Sequence, residues 1–166
     1  MRSVRFRIIH NTIYAFYFKL PYKTEFMTPE ERAHQIFQQM YARDHFSQWL
    51  GIELIEAGAG RSVLRLTIRR EMLNGFGIAH GGITYSLADS ALAFASNSHG
   101  RKAVSIETSI SHLTSLHEGD VLTAHAEEES LGHKIAVYRV LIKNQTLQTV
   151  ALFKGTVYRR SEEWAL

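Results

Sequence analysis

With 166 residues, 45% hydrophobic and 21% charged, the chain is long enough for one ordinary core and has neither disordered nor membrane-protein composition. It contains no cysteine, which excludes disulfides, thiolate metal sites and a thiol nucleophile, and weighs against a secreted life. The net charge of +3 is local: Arg2, Arg5, Arg7, Lys19 and Lys23 face Glu25 alone within 1–26, and the near-neutral remainder offers no basic patch for nucleic acid.

Residues 1–26 are basic and aromatic, with Phe6, Tyr14, Phe16, Tyr17, Phe18 and Tyr22. His10 and Asn11 break the apolar run and no small-residue cleavage site follows, so the stretch reads as an N-terminal extension, a strand or arm, rather than a signal peptide. It is too short and polar to span a bilayer. One domain is expected over 27–166, in the cytoplasm.

Thr28-Pro29-Glu30-Glu31 predicts a helix start: Thr28 can cap, Pro29 suits the first turn, and Glu31 can complete a capping box. Ala33, Ile36, Phe37, Met40 and Tyr41 then form an apolar stripe at helical spacing, read as core packing. This helix is expected to end within 44–49, ahead of Gly51. Residues 52–56 and 61–70 predict a hairpin turning at Gly58-Ala59-Gly60, with Leu64, Leu66 and Ile68 on its inward face.

Next comes a loop with Asn74, Gly75 and Gly77, then His80-Gly81-Gly82 opening a long run of small and apolar residues that ends near Gly100. Ile83, Tyr85, Leu87, Ala88, Ala91, Leu92, Phe94 and Ala95 cover most of this helix; Asp89 shares the remaining arc with Ser86, Ser90 and Ser96. After it, four meandering strands are expected at 102–114, 120–130, 133–144 and 148–160. Val104, Ile106 and Ile110 alternate in the first, Leu122, Ala124 and Ala126 in the second, Tyr138, Val140 and Ile142 in the third. Helix, hairpin, long helix and four strands make an α+β layout, an antiparallel sheet wrapped on a central helix.

Chemistry concentrates around the long helix. Two glycines at a helix start let another group approach free backbone N–H donors, where the dipole favours negative charge. That arrangement suits an oxyanion, and a carboxylate such as Asp89 can activate water or attack a carbonyl. The plainer readings are close packing for Gly81 and Gly82, an exposed side chain for Asp89 and a turn residue for Asn74. Gly81 and Asp89 are eight residues apart, roughly 12 Å on one helix, too far for both to touch one reacting carbonyl. A single site therefore needs the glycine of one copy and the aspartate of another. The nine histidines show no ligand spacing, so no metal is expected. There is no Gly-x-Ser-x-Gly elbow and no phosphate or dinucleotide fingerprint.

The ordered set Leu73-Asn74-Gly75, His80-Gly81-Gly82 and Leu87-Ala88-Asp89, with Val150-Ala151-Leu152-Phe153-Lys154-Gly155 later, resembles the hotdog-fold acyl-CoA thioesterases of the phenylacetate-degradation type. The resemblance covers about residues 34–160. It implies hydrolysis of an acyl- or aryl-CoA thioester by a homodimer or homotetramer, with no cofactor beyond the coenzyme A of the substrate and no membrane or nucleic-acid partner. It assigns Asp89 as general base or nucleophile, the Gly81 N–H as oxyanion donor, and Asn74 and His80 as positioning groups. Gly82, Ser105 and Ser109 are placed at the substrate. The chain departs from the family pattern at Thr114-Ser115-Leu116-His117, where relatives often carry an Arg-Pro pair, and Arg101, Lys102, Arg159 and Arg160 stand as other cations for coenzyme A phosphates. Two further readings stay open: a hotdog hydratase or dehydratase, which usually has a histidine within the helix, and a non-catalytic acyl-CoA-binding module.

Overall fold

The computed structural model describes residues 4–9, 12–17 and 27–166. Within the N-terminal extension, β1 (Val4–Ile9) and β2 (Thr12–Tyr17) form a two-stranded antiparallel hairpin. The rest of that extension lies outside the described residues.

Helix α1 (Pro29–Tyr41) starts as its sequence dictates. Glu31 N–H donates to Thr28 Oγ1 at 3.1 Å, and Thr28 N–H donates to Glu31 Oε2 at 2.8 Å. Its far end corrects the expectation of one helix reaching 44–49. The chain turns after Tyr41, and Asp44 caps a separate short helix, α2 (His45–Leu50). The Asp44 carboxylate accepts both the Ser47 N–H, at 2.9 Å, and the Ser47 hydroxyl, at 2.6 Å. A short acidic side chain that can satisfy backbone donors favours a cap over a helix interior. Gly51 closes α2 at φ +75°, a conformation that favours glycine.

Strands β3 (Glu53–Gly58) and β4 (Arg61–Thr67) form the expected hairpin around Ala59-Gly60, with Gly60 at φ +71°. A single turn over Arg70–Met72 leads into a loop pinched by the Leu73–Ala79 bridge, and α3 (Gly81–Asn97) follows. Then come β5 (Arg101–His112), β6 (Val121–Leu131), β7 (Ile135–Lys143) and β8 (Thr149–Glu163). The six-stranded sheet is antiparallel in the order β3-β4-β6-β7-β8-β5.

Only β6, β7 and β8 meander; β5 does not pair with β6 but with β8, at the far edge. The reason is α3. About 25 Å long at its 17 residues, it carries the chain from β4 across the sheet before β5 begins. It touches all six strands. Leu87, Ala88, Ala91, Leu92 and Ala95 pack on Leu64, Leu66, Leu122, Ala124, Tyr138, Val140, Ile142, Phe153 and Val157, every one buried. Small residues let helix and sheet approach closely: a methyl group on Gly155 would run into Leu92.

The edge position also corrects the expected inward face of β5. Val104 and Ile106 are 50% and 57% exposed, while Ala103 and Ile110 reach the core. A bulge between Ser105 and Glu107 shifts the register between them. No helix among the described residues is long and apolar enough to cross a membrane.

Candidate active site

Two recesses flank α3, one at its start and one halfway along. The first, of about 370 Å³, is lined by Asn74, Ile78, Ala79, Gly81, Thr84 and the 112–116 segment. Its floor is the first turn of α3. His80 is the N-cap, and its Nδ1 accepts the Gly82 N–H at 2.9 Å. The Ile83 N–H goes to the His80 carbonyl at 2.9 Å. Of the donors a helix start leaves over, the Gly81 N–H finds no partner among the described residues. His80 is therefore an orienting residue that claims one amide, and Gly82 serves that bond while its neighbour stays open.

The preceding loop is held by Asn74. Its Oδ1 accepts the Phe76 N–H at 2.9 Å, its N–H donates to the Ile78 carbonyl at 2.8 Å, and its carbonyl accepts from Gly77, which sits at φ +73°. This is the Asx-turn reading of Asn-Gly. The side chain also borders the recess, so the turn role and a site role coexist at one residue.

The opposite wall is the departure segment. Leu116 is buried, and its carbonyl accepts the Ala79 N–H at 2.8 Å. Thr114 and Ser115 bring hydroxyls in place of a guanidinium. The other cations gather away from this recess: Arg101 donates to the carbonyls of Arg160 and His133, Arg159 to that of Gly132, and Lys102 and Arg160 pair with Glu162.

The second recess, of about 250 Å³, is lined by Asp89, Leu92, Ala93, Ser96, Ala103, Val104, Ser105 and Val157. The Asp89 side chain accepts no hydrogen bond from the described residues, and partial burial raises its carboxyl above the usual aspartate value. The arc it shares with serines is not a water-facing stripe. Ser96 is buried, Ser86 donates to the Gly82 carbonyl at 2.7 Å, and Ser90 lies 2.9 Å from the buried Ser47 of α2. A half-buried carboxylate with no hydrogen-bond partner among the described residues is open to an incoming group.

Ser105 joins Asp89 in this recess, but Ser109 does not. Ser109 pairs with Lys154, while its neighbour Thr108 bonds the Tyr85 hydroxyl on α3 at 2.6 Å, so Ser109 points to the sheet's other face. Four residues apart on a regular strand, the two serines would share a face; the bulge between them reverses one.

The sequence reading also missed Thr84 and His112. The Thr84 hydroxyl donates to the Gly81 carbonyl at 2.9 Å and lies 3.1 Å from His112 Nδ1. The signal was available: two residues beyond Ile110, a strand returns to the same, helix-facing side.

The family model described as the thioesterase superfamily matches residues 76–151, which include both recess-lining stretches of α3. Acyl-coenzyme A thioesterase PaaI of Escherichia coli (strain K12) is 41% identical over 128 residues, covering 77% of this chain and 91% of that protein. The solved structure of the E. coli PaaI protein from the phenylacetic acid degradation operon superposes with a TM-score of 0.80 at 38% identity, over 82% of this chain and 99% of that one. A hypothetical thioesterase from Streptococcus pneumoniae, solved with coenzyme A, gives 0.72 at 26% identity, over 76% of this chain and 99% of that one.

Proposed function

The chain belongs to the thioesterase superfamily, with its hotdog fold, and from that premise we propose that it hydrolyses an aryl- or acyl-CoA thioester of the phenylacetyl-CoA kind at a site shared by two copies. The observation that carries this is the separation on α3 of an unclaimed amide at Gly81 and an unpartnered carboxylate at Asp89, each in its own recess. Neither recess alone holds both groups that acyl transfer needs. The exposed apolar edge of β5, with Val104 beside Asp89, supports a second copy meeting the chain there.

In this reading the thioester oxygen takes the Gly81 N–H at the positive end of α3, and Asp89 of the other copy faces the carbonyl carbon. Asp89 as base takes a proton from water while the C–O bond forms and the carbonyl pair moves onto oxygen. Collapse re-forms the carbonyl and breaks the C–S bond. The departing sulfur takes the proton from Asp89, leaving carboxylic acid and thiol. Attack by the carboxylate itself, followed by hydrolysis of the acyl-enzyme, reaches the same products. His80 and Asn74 hold the first turn and the loop, and Gly82, whose missing side chain leaves space for the His80 ring, keeps that cap in place. Ile78, Ala79, Leu113 and Leu116 give the recess apolar surface suited to an acyl or aryl group.

A panel of acyl- and aryl-CoA esters, with assembly state followed by sedimentation, tests this. Wild-type protein turns over as a dimer or tetramer, and Asp89→Asn loses about 10² to 10⁴-fold in kcat with fold and assembly intact. A monomer with full activity sinks the shared site. Bound ligand without turnover identifies a binding module instead. The hydratase reading has less support, since α3 contains no histidine.

A further inference from the structure

The imidazole of His112 lines the Gly81 recess and has no part in the scheme above. His112 ends β5, and its ring lies against the start of α3: a methyl group on Gly81 would come within 3.1 Å of Nε2. Its other nitrogen is tied down. The single Thr84 hydroxyl proton is donated to the Gly81 carbonyl at 2.9 Å. The 3.1 Å contact between Thr84 Oγ1 and Nδ1 is then a hydrogen bond only if Nδ1–H donates. In the neutral ring that leaves the lone pair on Nε2, which lines the recess beside the unclaimed amide. This is the tautomer in which both contacts of the buried Thr84 hydroxyl are hydrogen bonds.

We propose that His112 Nε2 is the second acceptor for the attacking water, making His112 a further catalytic residue of the thioesterase site. The inference rests on the proposed function and deepens it. A water has two O–H groups, and this site offers two acceptors: the Asp89 carboxylate of one copy and His112 Nε2 of the other. Asp89 takes the proton released as the C–O bond forms and returns it to the departing sulfur. His112 holds the remaining O–H throughout, fixing the oxygen lone pair on the carbonyl carbon that Gly81 polarises. Protonating Nε2 removes the acceptor, so turnover by this route is lost when the ring is protonated.

Other ionisable groups stand on the elements around the ring. His80 caps α3 with Nδ1 committed to Gly82, and Tyr85 and Asp89 lie further along that helix. His117, Glu118 and Asp120 lie on the connection to β6, where Asp120 accepts the His117 N–H. On β8 the residue opposite His112 is Ala151. Any rate loss on acidification that belongs to these groups survives removal of His112, which separates them from it.

The test is kcat and KM against pH for wild type, His112→Phe, His112→Gln and Asp89→Asn on the best acyl-CoA of the panel. His112→Phe fills the space without an acceptor; it is expected to lose about 10- to 100-fold in kcat, with KM nearly unchanged, and to lose whatever part of the acid-side fall in rate the ring carries. His112→Gln restores an acceptor that does not titrate, recovering part of kcat while the pH dependence stays absent. A wild-type rate in His112→Phe overturns the proposal, and so does a lowered rate with the pH profile unmoved. Wild-type turnover that Asp89→Asn abolishes keeps the thioesterase reading whatever His112 does; no wild-type turnover on any ester ends both.

Discussion

The two ends of α3 follow opposite rules. At the C-terminal end the side chains of Asn97 and Ser98 are fully engaged. The Asn97 amide donates to the carbonyls of Ala93 and Ala103, and its Oδ1 accepts from the Ala103 N–H and the Trp164 indole, which uses its full capacity. Ser98 Oγ accepts the Gly60 N–H and donates to the Ala95 carbonyl, both at 2.7 Å. Just beyond, His99 and the buried Tyr138 hydroxyl share Glu128 Oε2 at 2.7 and 2.8 Å, and burial pushes the Tyr138 phenol far above its usual range. At the N-terminal end one amide is left open, an imidazole nitrogen faces a recess, and two turns later a carboxylate has no partner. One end fixes the helix on the sheet; the other leaves a donor and acceptors without partners among the described residues. Fully paired polar networks rigidify, and a group that is to meet a ligand must keep a donor or acceptor open.

The sharpest way to break this contrast is Asn97→Ala. It removes four hydrogen bonds and strands the Ala103 N–H at the point where the chain turns into β5. A loss of about 3 kcal/mol is expected in chemical denaturation, from unsatisfied buried groups. Turnover per folded molecule should stay near wild type at low temperature. If stability holds and activity falls instead, the division of labour along α3 is wrong.

Gly155→Ala acts between the two ends. The added methyl meets Leu92, which lines the Asp89 recess one turn from the carboxylate. Forcing a methyl into a packed helix–sheet contact costs about 1–3 kcal/mol. Because the methyl presses directly on a side chain that lines the recess, kcat should drop along with Tm, whereas Asn97→Ala removes bonds to the backbone of Ala93 and Ala103 and adds no bulk there. The sequence could only suggest that Gly155 belongs to a family motif; the structure supplies packing as the reason glycine is there.

What could be read from the sequence follows the range of the interactions. The Thr28–Glu31 capping box and the alternation in β4, β6 and β7 depend on neighbours three or two residues away, and each appears as expected. The break at Asp44 is also local, but the apolar stripe of α1 hid it, because the cap needs only one carboxylate with the amide and hydroxyl of Ser47. The edge position of β5 depends on where a 17-residue helix delivers the chain, which no window along the sequence contains. So Val104 and Ile106 looked like core, and Ser109, past a bulge invisible to periodicity, looked like a partner of Ser105. Gly81 and Asp89 were found as residue types in an ordered motif. Their separation into two recesses followed from helical rise alone.

The smallest expected effect belongs to the carboxylate itself and has the opposite sign from the others. Burial raises the Asp89 carboxyl, so the folded chain binds that proton more tightly than the unfolded chain does. Between the unfolded and folded values, stability therefore falls as pH rises, and above both the cost of the buried charge is complete. Asp89→Asn keeps the shape and removes the charge. Its Tm should exceed wild type at pH 7 to 8, and the gap should close as acid protonates the wild-type carboxyl. The variant that loses the most activity would then be the one that gains stability, as expected of a group kept for chemistry at some cost to the fold. A lower Tm at pH 8 would instead mean that the assembled protein gives Asp89 a stabilising partner, and the open end of α3 would be less open than one chain suggests.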